Sequence, residues 1–216
     1  MFNEANSIKI ILLGEAGTGK TNLINVCCNL KFNPDTISSS TASFLEKKIE
    51  INNVKYSLKL WDTAGQEIYR SLNTIFIKDS KICILVYDIT NRKSFEELDY
   101  WKNTVESILG NKPVLAVVGN KIDLYKEEKI TEEEGEKYAK NIDAFFKITS
   151  AKNDGEGFAN FVNELVEKYL QKNKFNEWEY VENDEDNGRI SIDKNVHQQK
   201  KKNLFAYFYK YLIYNK

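Results

Sequence analysis

The chain has 216 residues, 42% of them hydrophobic, which suffices for one α/β domain with a good core but hardly for two. A formal net charge of −1 supplies no general basic field, so charge gives no reason to expect a nucleic-acid partner. Cys27, Cys28 and Cys83 fall in apolar periodic segments, which argues against a disulfide framework and for an intracellular protein, and the single histidine, His197, lies in a polar stretch, which argues against histidine-dependent catalysis or a zinc site.

The opening MFNEANS has neither a signal-peptide core nor a myristoylation glycine at position 2, and no apolar run of about 18 residues follows it. Strand-like and helix-like segments then alternate to about residue 172, the pattern of a mostly parallel sheet wrapped by helices. Strands are predicted at Ser7–Leu13, Phe44–Ile51, Lys55–Trp61, Lys81–Tyr87, Val114–Gly119 and Ala144–Ile148, and helices at Lys20–Asn29, Phe95–Leu109, Thr131–Lys140 and Gly157–Lys172. Asn52-Asn53 is a polar break of hairpin size, so the second and third strands should be antiparallel and the others joined by helical crossovers. The expected fold is α/β: a six-stranded, mostly parallel sheet with one antiparallel strand and helices on both faces. Residues 1–172 form its domain, and 173–216 a flexible tail in which acidic EWEYVENDED, basic KNVHQQKKK and aromatic LFAYFYKYLIYNK follow one another.

GEAGTGKT at 14–21 sits between the first strand and the first helix. In that place its backbone N–H groups converge on phosphate oxygens, Lys20 reaches the β- and γ-phosphates, and the Thr21 hydroxyl ligates Mg²⁺. A glycine-rich turn with an incidental lysine is the bland alternative. WDTAGQE at 61–67 ends a strand with Asp62, suited to hold a Mg²⁺ water, puts the Gly65 N–H near a γ-phosphate and leaves Gln66 to orient a water. In GNKID at 119–123, Asn120 and Asp123 suit a purine edge and the Lys121 stem suits its ring face. A carboxylate accepts from the N1–H and exocyclic amine of guanine, a donor pair that adenine lacks, so GTP is favoured over ATP. TSAK at 149–152 follows the last strand, with the Ala151 amide placed for the guanine O6. In this order, each at a strand's C-terminal end, these stretches specify one crevice.

On these residues the chain resembles the Ras superfamily of small GTPases, and in WDTAGQE, LVYDITNRKSF, GNKIDL and TSAK the Rab family; KDSKICILVYDIT with LGNKPVLAVVGNKIDL is similar to its early-endosomal branch. The resemblance covers residues 7 to about 172. It implies a switch in vesicle-mediated traffic on endosomal or other vesicle membranes, inactive with GDP and able to recruit effectors with GTP. It further implies partners in a guanine-nucleotide exchange factor, a GAP and effectors. By position it implies nucleotide contacts from Glu15, Ala16, Gly17, Thr18, Gly19, Lys20, Thr21, Asn22, Phe32, Ser39, Gly65, Asn120, Lys121, Asp123, Ser150, Ala151 and Lys152. Mg²⁺ falls to Thr21 and Ser39, with Asp62 acting through water, and catalysis to Gln66 and Lys20.

The chain also departs from the family pattern. Where Rab proteins usually carry a Mg²⁺-ligating threonine followed by Ile-Gly, spacing places Ser39, with Ser40 and Thr41 after it; Thr41 is the rival ligand if the loop bulges. Ile68 replaces the usual arginine and, with Tyr69 and Leu72, forms either an apolar effector patch or part of the packing on the sheet. No arginine finger is evident in cis, so hydrolysis is expected to be slow without a GAP. No cysteine follows Cys83 to carry a prenyl group, so a membrane contact would need another source. The basic QQKKK beside the aromatic last residues suits an interfacial segment on anionic lipid; a soluble tail and a mispredicted gene end are the other readings. For the whole chain, the alternative to a hydrolysing switch is a nucleotide-binding interaction module whose altered switch I does not cycle.

Overall fold

Residues 6–36, 43–63, 75–110 and 112–185 are described in the structure, a computed structural model. In chain order the elements are β1 (Ser7–Leu13), α1 (Lys20–Cys27), β2 (Ser43–Ile51), β3 (Val54–Asp62), β4 (Ile82–Asp88), α2 (Arg92–Glu96), α3 (Leu98–Leu109), β5 (Val114–Asn120), a 3-10 segment (Ile122–Glu127), α4 (Glu132–Asn141), β6 (Phe145–Ile148) and α5 (Gly155–Glu185). The strands lie in one sheet in the order β2-β3-β1-β4-β5-β6. Only the β2–β3 pairing is antiparallel among them. Its turn is Asn52-Asn53, both with positive φ (51° and 63°), as a two-residue turn that follows the twist of the strands requires.

Side chains of β1 alternate between two cores, as the period of a strand demands. Ile10 and Leu12 pack with Leu23 and Ile24 of α1 and Phe158, Val162 and Val166 of α5. Ile11 and Leu13 pack on the opposite face with Leu98, Trp101 and Val105 of α3 and Ala139 of α4. Every residue of β4 is buried, which is why ICILVYD reads as a continuous apolar run rather than an alternation. The edge strand β2 instead alternates exposed and half-buried positions.

Two helices differ from the sequence expectation. The helix expected over Phe95–Leu109 starts at Arg92 and is interrupted by a turn at Glu97, which stays in the right-handed region but whose ψ of −6° departs from the regular α-helical value. Apolar spacing does not signal the break, because Phe95, Leu98, Trp101 and Val105 keep one face across it. The last helix, expected to end at Lys172, continues to Glu185. Between Gly157 and Gly188 the sequence contains neither Gly nor Pro to interrupt the helical ladder. The chain divides into two units, Met1–Gln171 and Lys172–Lys216, and the site below lies in the first.

Chain connections run from β1 outward to β3 and then back to β4, so the direction of winding reverses between β1 and β4. The crevice beyond the C-terminal ends of strands at such a reversal is where open α/β sheets bind ligands.

Candidate functional site

A cleft of about 570 Å³ opens there, lined by residues from the β1–α1 loop, α1, residues 32–36 and the loops after β3, β5 and β6. At one end the β1–α1 loop closes on itself through backbone conformations that only glycine adopts easily. Gly14, Gly17 and Gly19 have φ of 149°, 77° and 92°. A Cβ on Gly14 would lie 2.1 Å from the Val86 carbonyl oxygen, and one on Gly19 would lie 2.3 Å from Asn120 Nδ2. Glu15 and Thr18 are buried here; the Glu15 carbonyl accepts from the Thr18 hydroxyl at 2.9 Å. Ala16 and Gly17 face the cleft.

Lys20 begins α1 and is only 5% exposed. Its ammonium donates to the carbonyls of Gly14 and Glu15, both at 2.8 Å. Two of its three N–H groups are thereby engaged, which leaves one for a ligand in the cleft. Burial pulls its pKa down to about 8, against the opposing pull of Asp62 and Glu15. Beside it the Thr21 hydroxyl donates to Asp62 Oδ2 at 2.8 Å, so the two groups read from sequence as serving a metal meet across 41 positions of chain. Thr63, which the motif reading passed over, also lines the cleft and is held by a 2.7 Å bond from its hydroxyl to the Leu12 carbonyl.

The other end is built from side chains. Asp123 Oδ1 accepts from the Ser150 hydroxyl at 2.6 Å, and Ser150 Oγ in turn accepts from the amides of Lys152 and Asn153 at 3.2 and 3.1 Å. One carboxylate oxygen is thus used in holding the group, and Asp123 itself lines the cleft. Asn120 is a cross-brace: its Nδ2 donates to the Thr18 carbonyl at 2.8 Å and its Oδ1 accepts from the Ala151 amide at 3.1 Å. The sequence placed Asn120 and Ala151 against the purine; here they also bind each other and tie the phosphate loop to the last loop, with the second N–H of the Asn120 amide left over.

Lys121 has a φ of 71° and its ammonium meets Asp88 Oδ2 at 2.7 Å. Asp88 is a residue the motif reading missed. Its Oδ1 accepts from both the amide and the hydroxyl of Thr90 at 2.8 Å, and its own amide donates to Ser94 Oγ at 3.0 Å. The Asp-x-Thr spacing in YDIT is the available signal, since an aspartate commonly binds the backbone two residues on.

Phe32 lines the cleft, partly buried against the core that includes α1. Asn22 also lines it, but its side chain is turned on the backbone of Asn33. Ser39, Thr41, Gly65, Gln66, Ile68, Tyr69 and Leu72 lie outside the described residues.

A Ras family model matches residues 9–171. The chain belongs to the Ras family. Among curated proteins it is 45% identical over 148 residues to the Ras-related protein Rab-21 of Canis lupus familiaris and of Homo sapiens, a match over 68% of this chain and 66% of each relative. The Ras-related protein Rab-21 of Geodia cydonium is 39% identical over 165 residues, covering 76% of this chain and 72% of that one. Within the Ras family the chain is therefore of the Rab type, and its sheet and crevice are those of the small G-domain. The match covers slightly less than two thirds of the dog and human proteins. No described helix is long and apolar enough to cross a membrane.

Proposed function

We propose that this Rab-type protein binds GTP and GDP and hydrolyses GTP slowly, as a switch in vesicle-mediated traffic. One observation carries the reading: the same cleft holds a buried ammonium, Lys20, at one end and a carboxylate braced by Ser150, Asp123, at the other. The first suits phosphate and the second suits the paired donors of guanine. Lys121 and Phe32 supply apolar cover for the base, Lys152 flanks it, and the spare N–H of Asn120 suits a purine ring nitrogen.

Mg²⁺ is part of the proposal. Among the described residues there is no cluster of three or more His, Cys, Asp or Glu suited to a metal. A hard cation that keeps waters and takes phosphate oxygens needs only one or two protein groups, and the adjoining Thr21 hydroxyl and Asp62 carboxylate fit that demand. Bound there, the ion would neutralise charge on the β- and γ-phosphates. Ser39, or Thr41 in its place, is the second proposed protein ligand. For hydrolysis, Gln66 orients the attacking water, Lys20 and the amides of residues 15–21 hold developing charge, and a GAP adds roughly 10³–10⁵ in rate.

The other assignments are also proposals. The G-domain ends near residue 172, followed by the tail. Early-endosomal or other vesicle membranes are the location that the resemblance of residues 78–90 and 109–124 suggests, with peripheral contact through the basic and aromatic last residues or a lipid. Exchange factor, GAP and effectors are the partners. For effectors, Ile68, Tyr69 and Leu72 remain the candidates from sequence, and the described residues offer a separate aromatic strip: Phe44, 48% exposed, stacks on Trp61 at 5.0 Å, and Phe76 packs on Trp61 at 5.7 Å. Lys9 and Lys59 lie over its Trp61 and Phe44 rings, which favours partners presenting apolar groups with acidic neighbours.

Single-turnover hydrolysis of bound Mg²⁺-GTP, with ATP as control, tests the reading. Slow release of phosphate from GTP alone is the expected result. Tight GTP binding without turnover would replace it with the non-cycling interaction module, and equal binding of ATP would remove the guanine assignment.

A further inference from the structure

Asn22 is the third residue of α1, next to the threonine proposed for Mg²⁺, yet its carboxamide faces away from any phosphate role. Its Nδ2 donates to the Asn33 carbonyl at 2.9 Å and its Oδ1 accepts from the Asn33 amide at 3.0 Å. Both backbone polar groups of one residue are thus held by one side chain, as a neighbouring β-strand would hold them. The Thr36 hydroxyl adds a long third bond to Asn22 Oδ1, 3.4 Å, and a 2.7 Å bond to the Asn33 carbonyl. Asn33 Oδ1 accepts from the Asp35 amide at 3.0 Å, which tightens the turn. Asn22 is buried, while Asn33, Pro34 and Asp35 are exposed.

The pinned stretch matters because of what it carries. Phe32 immediately precedes Asn33, and Phe32, Pro34 and Thr36 form one wall of the cleft. The chain leaving α1 is tied down as far as Leu30, whose amide donates to the Asn25 carbonyl at 2.8 Å, and Phe32 packs partly against the core, but Lys31 and Asn33 on either side of it are exposed. An exposed segment of this kind opens locally at small cost unless specific bonds hold it. The carboxamide supplies those bonds from the rigid start of α1. A carboxamide is the side chain that can do so, since it offers a donor and an acceptor side by side, matched to the N–H and C=O of one residue. An alanine at position 22 offers neither, and a serine carries its donor and acceptor on one shorter oxygen that cannot span both groups of Asn33.

We propose that Asn22 is a positioning residue for nucleotide retention: by clamping Asn33 it holds Phe32 over the bound guanine nucleotide and slows its release. The inference rests on the guanine-nucleotide reading above. It ascribes to the Asn22 side chain a role different from the direct nucleotide contact expected from sequence, which its backbone amide can still make.

The test uses the full chain loaded with N-methylanthraniloyl-GDP and Mg²⁺, with release followed by fluorescence on chase with unlabelled GDP. Asn22→Ala and the milder Asn22→Ser should release the probe about tenfold faster than the unmodified protein, the ~1.4 kcal/mol expected when a paired hydrogen bond is lost. Phe32→Ala should also speed release. In the Phe32→Ala background the Asn22→Ala change should add little, because both act on one contact. Hydrogen exchange in residues 33–36 should rise with Asn22→Ala. Retained probe with an unchanged release rate overturns the proposal, and so does an undiminished Asn22→Ala effect in the Phe32→Ala background. A protein that holds no labelled GDP at all, while Asn22→Ala still loosens residues 33–36, overturns the nucleotide reading and the retention role together.

Discussion

The two ends of the cleft are made in different ways. At the phosphate end the shape is written in the backbone: three glycines with positive φ and a lysine folded onto main-chain carbonyls. At the base end it is written in side chains, each braced by another side chain or by distant backbone: Asp123 by Ser150, Lys121 by Asp88, and Asn120 by the Thr18 carbonyl and the Ala151 amide. The difference suits the proposed ligand. An anion is met by any converging set of N–H dipoles, whatever side chains carry them, whereas a base is told from others by a few donors and acceptors in set directions. Selectivity should therefore be lost by changes at one end, and affinity for phosphate of any nucleotide at the other.

The largest effect is expected from Asp123→Ala, which removes a charged acceptor of two N–H bonds. GDP affinity should fall by roughly 10²–10⁴ with preference over ADP lost, as read by equilibrium titration with both nucleotides. Unchanged preference would mean that the base end does not read guanine. Gly19→Ala tests whether the ends are as separate as their chemistry. The new Cβ would overlap Asn120 Nδ2 and hold a side chain at φ 92°, so affinity should fall by roughly 5- to 150-fold, the equivalent of ~1–3 kcal/mol of strain, for guanine and adenine nucleotides alike. A loss confined to guanine would show the strain to be absorbed by Asn120 alone.

Lys20 adds a pH signature belonging to the phosphate end only. Its pKa in the nucleotide-free protein is depressed to about 8 by burial, so between pH 8 and 10.5 the unfolded chain binds a proton that the folded protein has lost. Nucleotide-free stability should rise with pH across that window as far as this group is concerned, because its charged form is the one disfavoured by folding. Phosphate favours the charged form, so binding above pH 8 should take up as much as one proton, and affinity should fall up to about tenfold per pH unit there. Calorimetry in buffers of different ionisation enthalpy measures the uptake, and Lys20→Met should abolish it. The smallest effect is expected from Asp88→Asn, which removes the ion pair of a partly exposed lysine. Release of GDP should quicken about two- to fivefold, the scale of a screened pair. No change in Lys121→Met carrying the same substitution would tie Asp88 to Lys121.

Much of this was legible from the chain because it depends on local pattern. The alternation of apolar runs with helical periods yields the sheet, its antiparallel hairpin at Asn52-Asn53 and the C-terminal strand ends where GKT, NKID and TSAK fall. The strands were placed to within a few residues. The break at Glu97 left no trace, since the apolar face runs through it, and the continuation of α5 to Glu185 was hidden by a composition that reads as tail.

At the site, the sequence by itself determined which residues are proposed to carry the chemistry: Lys20, Thr21, Asp62, Asn120, Lys121, Asp123 and the TSAK loop are recognisable because glycines, charge and spacing fall where the strands end. Only the tertiary structure decided what holds them. Asp88 at the end of β4 meets Lys121 just past the end of the adjacent β5, Asn120 reaches the Thr18 carbonyl across 102 positions, and the carboxamide of Asn22 clasps Asn33 eleven residues on. A hydrogen bond between groups distant in sequence has no period and no composition. It exists only once the sheet has brought its partners within about 3 Å.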